Sequence, residues 1–205
     1  SVNKFSQFFF FFYRLEVKKR LMSLYTLPIS PYKTLLDSNN PGAGWLTDNN
    51  RARQKEIIWS FWERYKKYLR EKQKYQPGVI FQLDKSTDEI LDNLFDPSWV
   101  DINFSKKGLV VGQVQAGKTS NFSGLICKAV DAGFNVVIVF AGILDDLRTQ
   151  TQNRLEKCFL GFTTKDIKKI TDYEKIGIGV GLINNKPIAH AFTTIVSDFK
   201  ESTVN

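Results

Sequence analysis

The chain has 205 residues, 42% of them apolar and 24% charged, with 17 Phe and 7 Tyr. That aromatic mass suffices for a packed core and excludes disorder as the whole account, while no apolar run approaches the roughly 18–20 residues of a bilayer-spanning helix. A single histidine, His190, and two cysteines, Cys127 and Cys158, exclude histidine-based triads, zinc clusters and a disulfide framework. The expectation is a soluble cytoplasmic protein with reduced, buried thiols and no membrane contact. The net charge of +8 is uneven, because residues 1–75 hold 15 Lys/Arg against 6 Asp/Glu and residues 76–205 hold 14 against 15. An N-terminal excess of that kind suits a solvated helix face or contact with a polyanion such as DNA.

Residues 1–27 read as a leader. The run Phe8–Phe12 precedes the only methionine, Met22, and the cluster Lys18, Lys19, Arg20 lies after the apolar stretch, the reverse of a secretory signal. The expectation is a disordered or artificially appended segment, or sequence translated from upstream of a natural start at Met22. Residues 28–50, rich in Pro, Ser, Asn and Gly, read as loop. Residues 51–74 place Ile58, Phe61, Trp62, Tyr65 and Leu69 at helical spacing with basic residues on the other face, which predicts a long amphipathic helix. Beyond Pro77 and Gly78, Val79–Leu83 reads as a short strand and Ser86–Phe95 as a helix capped by Ser86-Thr87-Asp88-Glu89 and closed by Asp96-Pro97.

The most informative stretch begins at Lys107. Gly108-Leu109-Val110-Val111 is a short β-branched run suited to a buried parallel strand. Gly112-Gln113-Val114-Gln115-Ala116-Gly117-Lys118-Thr119 then meets every fixed position of the phosphate-loop pattern GxxxxGK[ST]. Phe122, Leu125, Ile126, Ala129 and Val130 follow at i, i+3, i+4, i+7 and i+8, one apolar helix face, with Gly133 where a C-capping glycine belongs. The order strand, glycine loop, helix supplies what a polyphosphate needs. Glycines allow close backbone approach, the helix N-terminus presents amides and a partial positive charge, and Lys118 adds a mobile full charge. The hydroxyl of Thr119 would complete the coordination of Mg²⁺, and Ser120 closes the candidate ATP site.

A second apolar run, Val136–Ala141, completes a βαβ pattern of the kind covered by helices on both faces. The expected fold is therefore α/β, a P-loop NTPase three-layer core with a parallel sheet and a right-handed crossover, preceded by a helical basic N-terminal region. Domain boundaries follow at residues 1–27, 28–100 and 101–205. Residues 142–152 then lead into another helix whose polar face carries Arg148, Gln150, Gln152 and Arg154.

The run from Gly108 to Leu155 closely resembles the start of the Z-one domain, an endonuclease family of prokaryotic restriction and phage-defence systems whose core looks like a superfamily-two helicase ATPase. The similarity lies in the glutamine inside the loop, the pair Asn121-Phe122 and the segment Ala141-Gly142…Leu147-Arg148-Thr149-Gln150-Thr151-Gln152-Asn153-Arg154-Leu155, and extends over about residues 86–205. Family members usually carry Ser where Ala116 stands. The resemblance implies an L-x-x-Q turn at Leu147 and Gln150 that touches a nucleic-acid backbone, with Arg148, Gln150 and Gln152 as candidate contacts. On charge patterning alone, the same residues fit the solvated face of an amphipathic helix equally well.

An ATPase of this class also needs an acidic pair after an apolar strand. Asp198 follows only Ile195-Val196 and lacks a neighbouring Glu, so it is a weak candidate, and the chain reads as an N-terminal part of a longer protein that does not turn over alone. Asp145 and Asp146 suit a helix start better than a nuclease centre. Gly177-Ile178-Gly179-Val180-Gly181 misses the dinucleotide pattern and reads as a flexible loop. The function expected is the ATP- and Mg²⁺-binding part of a helicase-like ATPase acting on DNA, with nuclease or ATPase partner subunits. Its alternative is a nucleotide-sensing module that recruits a nuclease. A small-molecule kinase shares the strand-loop-helix unit but would want an Arg-rich lid.

Overall fold

Four α-helices and two short helical turns carry the residues that the computed structural model describes, namely 44–46, 55–98, 106–111, 117–142, 144–164, 177–184 and 186–199. The expected leader at 1–27 lies outside them. Helix α1, Ser60–Glu71, forms on its aromatic stripe, with Phe61, Trp62, Tyr65, Tyr68 and Leu69 all buried. It is shorter than the 51–74 span predicted, and Ile58 stands outside it, 80% exposed.

Helix α2 runs Pro77–Asp92 with Pro77 in its first turn, where the missing N–H costs nothing. The strand expected at Val79–Leu83 is part of this helix. Its buried residues Ile80, Leu83, Thr87 and Leu91 recur at helical spacing while Val79 and Phe81 face outward, so the period is 3.6 rather than 2. The expected cap at Ser86 and Thr87 is absorbed too, both hydroxyls donating back to the Leu83 carbonyl at 3.1 and 2.8 Å, a mid-helix pattern.

Helix α3, Lys118–Ala132, is the central element. Of the predicted apolar face Leu125, Ile126 and Ala129 are buried and Phe122 and Val130 half-buried, Cys127 is buried as well, and Gly133 ends the helix at φ 113°. Its flank is so close to α1 that a Cβ on Gly124 would stand 3.0 Å from the Trp62 ring. Helix α4, Asp145–Leu155, passes into a π-helical turn, Glu156–Leu160. That turn receives the 3₁₀ turn Gly179–Leu182, whose Val180 is fully buried. The glycines expected to make a flexible loop here serve close backbone packing instead. Ile178 N–H donates to the Gly161 carbonyl at 2.9 Å, and a Cβ on Gly181 would stand 1.9 Å from that same oxygen.

Two apolar clusters join the expected N-terminal and C-terminal regions. One unites Phe61, Trp62, Tyr65 and Leu69 with Ile126, Cys127, Phe159 and Val180. The other unites Leu91, Leu94 and Phe95 with Leu125, Ala129 and Phe134. Trp45 and Leu46 seal the second, the indole donating to the Leu91 carbonyl at 3.1 Å and the Leu46 amide to the Asp92 carboxylate at 2.6 Å. Helix α3 lies in both clusters and binds them into one body.

The three-layer α/β core with its parallel sheet is not found among the described residues. Residues 106–111 and 134–142 take no regular secondary structure and form no ladder, and the β pairings among the described residues are the isolated bridges Phe162–Gly177 and Thr194–Ser197. A parallel sheet must be covered on both faces. Here Val137 and Val139 pack against the core, whereas Ile138 and Phe140, and likewise Leu109 and Val111, are exposed. The described residues constitute a helical assembly.

Candidate functional site

The phosphate-loop motif enters the described structure at its last three positions. Gly117 takes a left-handed conformation, φ 72° and ψ 20°, and leads directly into Lys118 at the start of α3. A Cβ there would meet nothing within 4 Å, so glycine is required by the backbone angle and not by space. The helix has no side-chain cap and no acidic residue in its first turn, and its first internal bond is Asn121 N–H to the Gly117 carbonyl, 3.0 Å. The amides ahead of that bond have no carbonyl within the helix to take them, and the helix dipole adds partial positive charge at the same place. Lys118, Thr119 and Ser120 are all half-buried. Gly112, Gln113, Val114, Gln115 and Ala116 lie outside the described residues.

Three side chains from elsewhere converge on this turn. Arg154 of α4 donates from Nη1 to Thr119 Oγ1 at 3.1 Å. Tyr75, in the α1–α2 connection, shares a 2.9 Å hydrogen bond with Ser120 Oγ, and Tyr65 of α1 donates to the Ser120 carbonyl at 3.4 Å. Burial pushes the Tyr65 phenol well above its ordinary range, keeping it a neutral donor. One residue further on, Asn121 Nδ2 donates to Ser86 Oγ of α2 at 3.0 Å. The helical apolar spacing of 58–69 signalled that α1 would be a packing helix. Nothing in local spacing signalled that its tyrosines would meet the glycine loop.

The helices that hold this turn are themselves joined by polar groups of α3. The Asp131 carboxylate accepts from the Phe61 and Trp62 amides at 3.0 and 2.9 Å, capping α1 from another helix, since α1 lacks a side-chain cap of its own. Burial raises its pKa from 3.8 to about 6, against the lowering effect of those amides and of Arg64. Lys128 is 1% exposed and donates to Asp84 and to Asp88 of α2, the latter at 2.6 Å, with its ammonium 4.6 Å from the Trp62 ring centroid. Both cysteines are free, and burial raises both thiols above their ordinary range, which makes them poor nucleophiles.

The candidate nucleic-acid contacts lie on α4. Arg148 donates to the Thr194 and Ile195 carbonyls at 3.1 and 2.9 Å and lies 3.4 Å from the Asp198 carboxylate and 3.7 Å from that of Asp145. Gln152 is buried, donating to the Thr193 carbonyl and accepting from the Thr193 hydroxyl at 2.8 Å. Gln150 is exposed. Arg148, Gln152 and Asp198 are therefore brought together, but as the ties that hold residues 193–198 against α4. Glu156 extends the same network, accepting from Gln152 and from the amide and hydroxyl of Thr164, while its Oε2 has no partner.

The resemblance would put Mg²⁺ on the Thr119 hydroxyl. That oxygen already accepts from the Arg154 guanidinium, a permanent cation, and among the described residues no three His, Cys, Asp or Glu side chains gather to hold a metal ion. The donor set as described does not fit a resident divalent ion. Among these residues no helix is long and apolar enough to cross a membrane.

No protein-family model, no curated protein and no solved structure matches this chain.

Proposed function

We propose that this chain binds a nucleoside triphosphate, ATP in the first instance, through the segment Gly112–Ser120, as the nucleotide-binding part of a helicase-like ATPase that acts on DNA in prokaryotic restriction or phage defence. One observation carries the reading: a left-handed Gly117 feeds an uncapped helix whose first residues are Lys118, Thr119 and Ser120. Amides at a helix start, the helix dipole and a lysine are together the chemistry of anion binding. The basic excess of residues 1–75 supports the DNA part of the reading. Magnesium, which the resemblance associates with Thr119, enters the test as a variable, because Arg154 holds that oxygen.

The alternative, a nucleotide-sensing module that recruits a nuclease partner, is favoured by the α4 network. Arg148 and Gln152 spend their polar groups on residues 193–195, which suits a structural role better than backbone contact with DNA.

The experiment is titration calorimetry of ATP, in chelator and in excess Mg²⁺, into the chain and into Lys118→Ala, with phosphate release followed in parallel. Loss of one charge-assisted contact predicts about 2 kcal/mol, on the order of 30-fold weaker binding in the variant. Equal affinity of the two proteins, or no binding by either, refutes the proposal. Binding without turnover favours the sensing module.

A further inference from the structure

The end of α1 concentrates positive charge that the fold does not use. Lys67, Arg70, Lys72 and Lys74 are exposed, and the one acid between them is Glu71. Lys67 lies 3.9 Å from Glu71, both about half exposed, a pairing of little worth in water. Arg70, Lys72 and Lys74 form no ion pair among the described residues. The helix dipole favours a cation such as Arg70 in the last turn, but Lys72 and Lys74 stand beyond it. Lys74 is also held left-handed at φ 57°, where α3 and the π-helical turn end on Gly133 and Gly161. A side chain is disfavoured at that angle, so packing alone would select glycine there. The turn is fixed in place, with Tyr75 N–H donating to the Leu69 carbonyl at 3.0 Å and Gln73 Nε2 to the Tyr68 hydroxyl at 2.8 Å.

We infer that Lys67, Arg70, Lys72 and Lys74 form the surface on which this chain meets the sugar–phosphate backbone of duplex DNA. The inference rests on the DNA part of the reading above and supplies its contact residues, a role for which Arg148 and Gln152, bonded to residues 193–195, are poorly placed. Lys67 and Arg70 share one side of the helix, about 4.5 Å apart along it, on the scale of the roughly 3.4 Å step between phosphates of one strand. No exposed aromatic ring stands among these cations, since Tyr68 is buried and Tyr75 is half-buried and bonded to Ser120. Single strands are held by stacking their bases on such rings. Cations without rings suit the backbone of a duplex, bound without sequence preference.

The test follows a fluorescein-labelled DNA duplex by anisotropy from about 50 to 200 mM KCl, without nucleotide, so that the ATP titration does not bear on it. The proteins are the wild-type chain, Lys67→Gln, Arg70→Gln, Lys72→Gln, Lys74→Gln, all four together, and Lys85→Gln, each checked for unchanged helicity by circular dichroism. Lys85 is an equally exposed lysine on α2, set among Asp84, Asp88 and Glu89. Each phosphate contact contributes about 0.9 to the slope of log K against log salt, so each single variant should flatten the slope by about that much and the fourfold variant by about 3.6. Lys85→Gln should leave it unchanged. Lys74→Gly should lose the same contact while raising the melting temperature by about 2–4 °C, an opposition that a lysine placed for the fold would not show. A fourfold variant with the wild-type slope, or a Lys85→Gln variant that flattens it as much as the others, overturns the inference and leaves the DNA reading to other residues. Binding through these four residues that is tighter to the matching single strand, or to phosphatidylserine vesicles, than to the duplex overturns it as well. No binding of the duplex even at low salt overturns the inference and the DNA part of the reading together.

Discussion

Asp131 is the sharpest test of how the helices around the site are held. Its two carboxylate oxygens each accept one amide from the first turn of α1, a helix with no cap in its own sequence. Replacement by Ala leaves two partly buried amides without acceptors, and N-cap losses of this kind cost about 1–2 kcal/mol, so roughly 2 kcal/mol is expected here. Asp131→Asn keeps the shape and one acceptor oxygen and should cost about half as much. The pH dependence is more diagnostic. Burial raises the folded-state pKa from 3.8 to about 6, so between those values the folded chain binds a proton that the unfolded chain does not. Stability from this group is therefore fully present below pH 3.8 and is lost as pH rises through about 6. Asn does not titrate. The stability deficit of Asp131→Asn relative to wild type must then be largest in acid and shrink toward neutrality. Every other group is common to the two proteins and cancels in the difference, and Arg64, the cation that faces Asp131, stays charged throughout. Urea unfolding followed by tryptophan fluorescence at a series of pH values reads this directly, since Trp59 and Trp62 flank the cap. A deficit that is flat across the window, or that grows with pH, refutes the reasoning.

Lys128→Ala, which strands the Asp84 and Asp88 carboxylates against each other, should destabilise the chain by about 3 kcal/mol. Lys128→Met, which refills the space beside Trp62, should cost distinctly less, and chemical denaturation of both variants decides. The same Lys128→Ala variant should gain stability on acidification, because burial already raises Asp88 and removal of its cation raises it further, so that this group's contribution is lost as pH climbs; a loss of stability in acid relative to wild type contradicts the geometry. Gly181→Ala places a methyl carbon 1.9 Å from the Gly161 carbonyl and should cost several kcal/mol, on the scale of the large strain effects. An unchanged melting temperature would show that the two turns do not pack as described.

The sequence was most legible where one short segment decides its own conformation. Helix α3 was foreseen nearly residue by residue, because Leu125, Ile126 and Ala129 repeat at 3 and 4 and Gly133 stops the helix. Helix α1 was foreseen through Phe61, Trp62, Tyr65 and Leu69, although Ile58 obeyed the spacing and fell outside the helix. The error in α2 came from reading Val79–Leu83 as a separate short strand when Ile80, Leu83, Thr87 and Leu91 continue a helical period across it. Of the site, Gly117 and Lys118 were legible through the motif. Tyr75, Tyr65 and Arg154 were not, because each meets the loop across 35 or more residues and no local pattern records a long-range contact. Arg148 and Gln152 were legible as polar, yet a polar residue on a helix is the same letter whether it faces DNA, water or a neighbouring segment's carbonyls.

The sheet shows the same limit from the other side. Val136–Ala141 has the composition of a strand, and Val137 and Val139 pack against the core while Ile138 and Phe140 are exposed. The alternation of burial is all that survives of the expected strand. A sheet demands more, since each strand's amides and carbonyls must find a neighbour supplied by a distant part of the chain, and β-propensity reports how a side chain fits a half-buried surface without saying what lies beside it. The phosphate-loop argument has a different logical standing. Its physical content is a left-handed glycine, a helix start and a lysine within three consecutive residues, and these are present at Gly117 and Lys118 although the flanking strands form no ladder. Loss of the sheet therefore removes the fold analogy that first supported the assignment while leaving its local chemistry intact, and the comparison of wild type with Lys118→Ala addresses that chemistry alone.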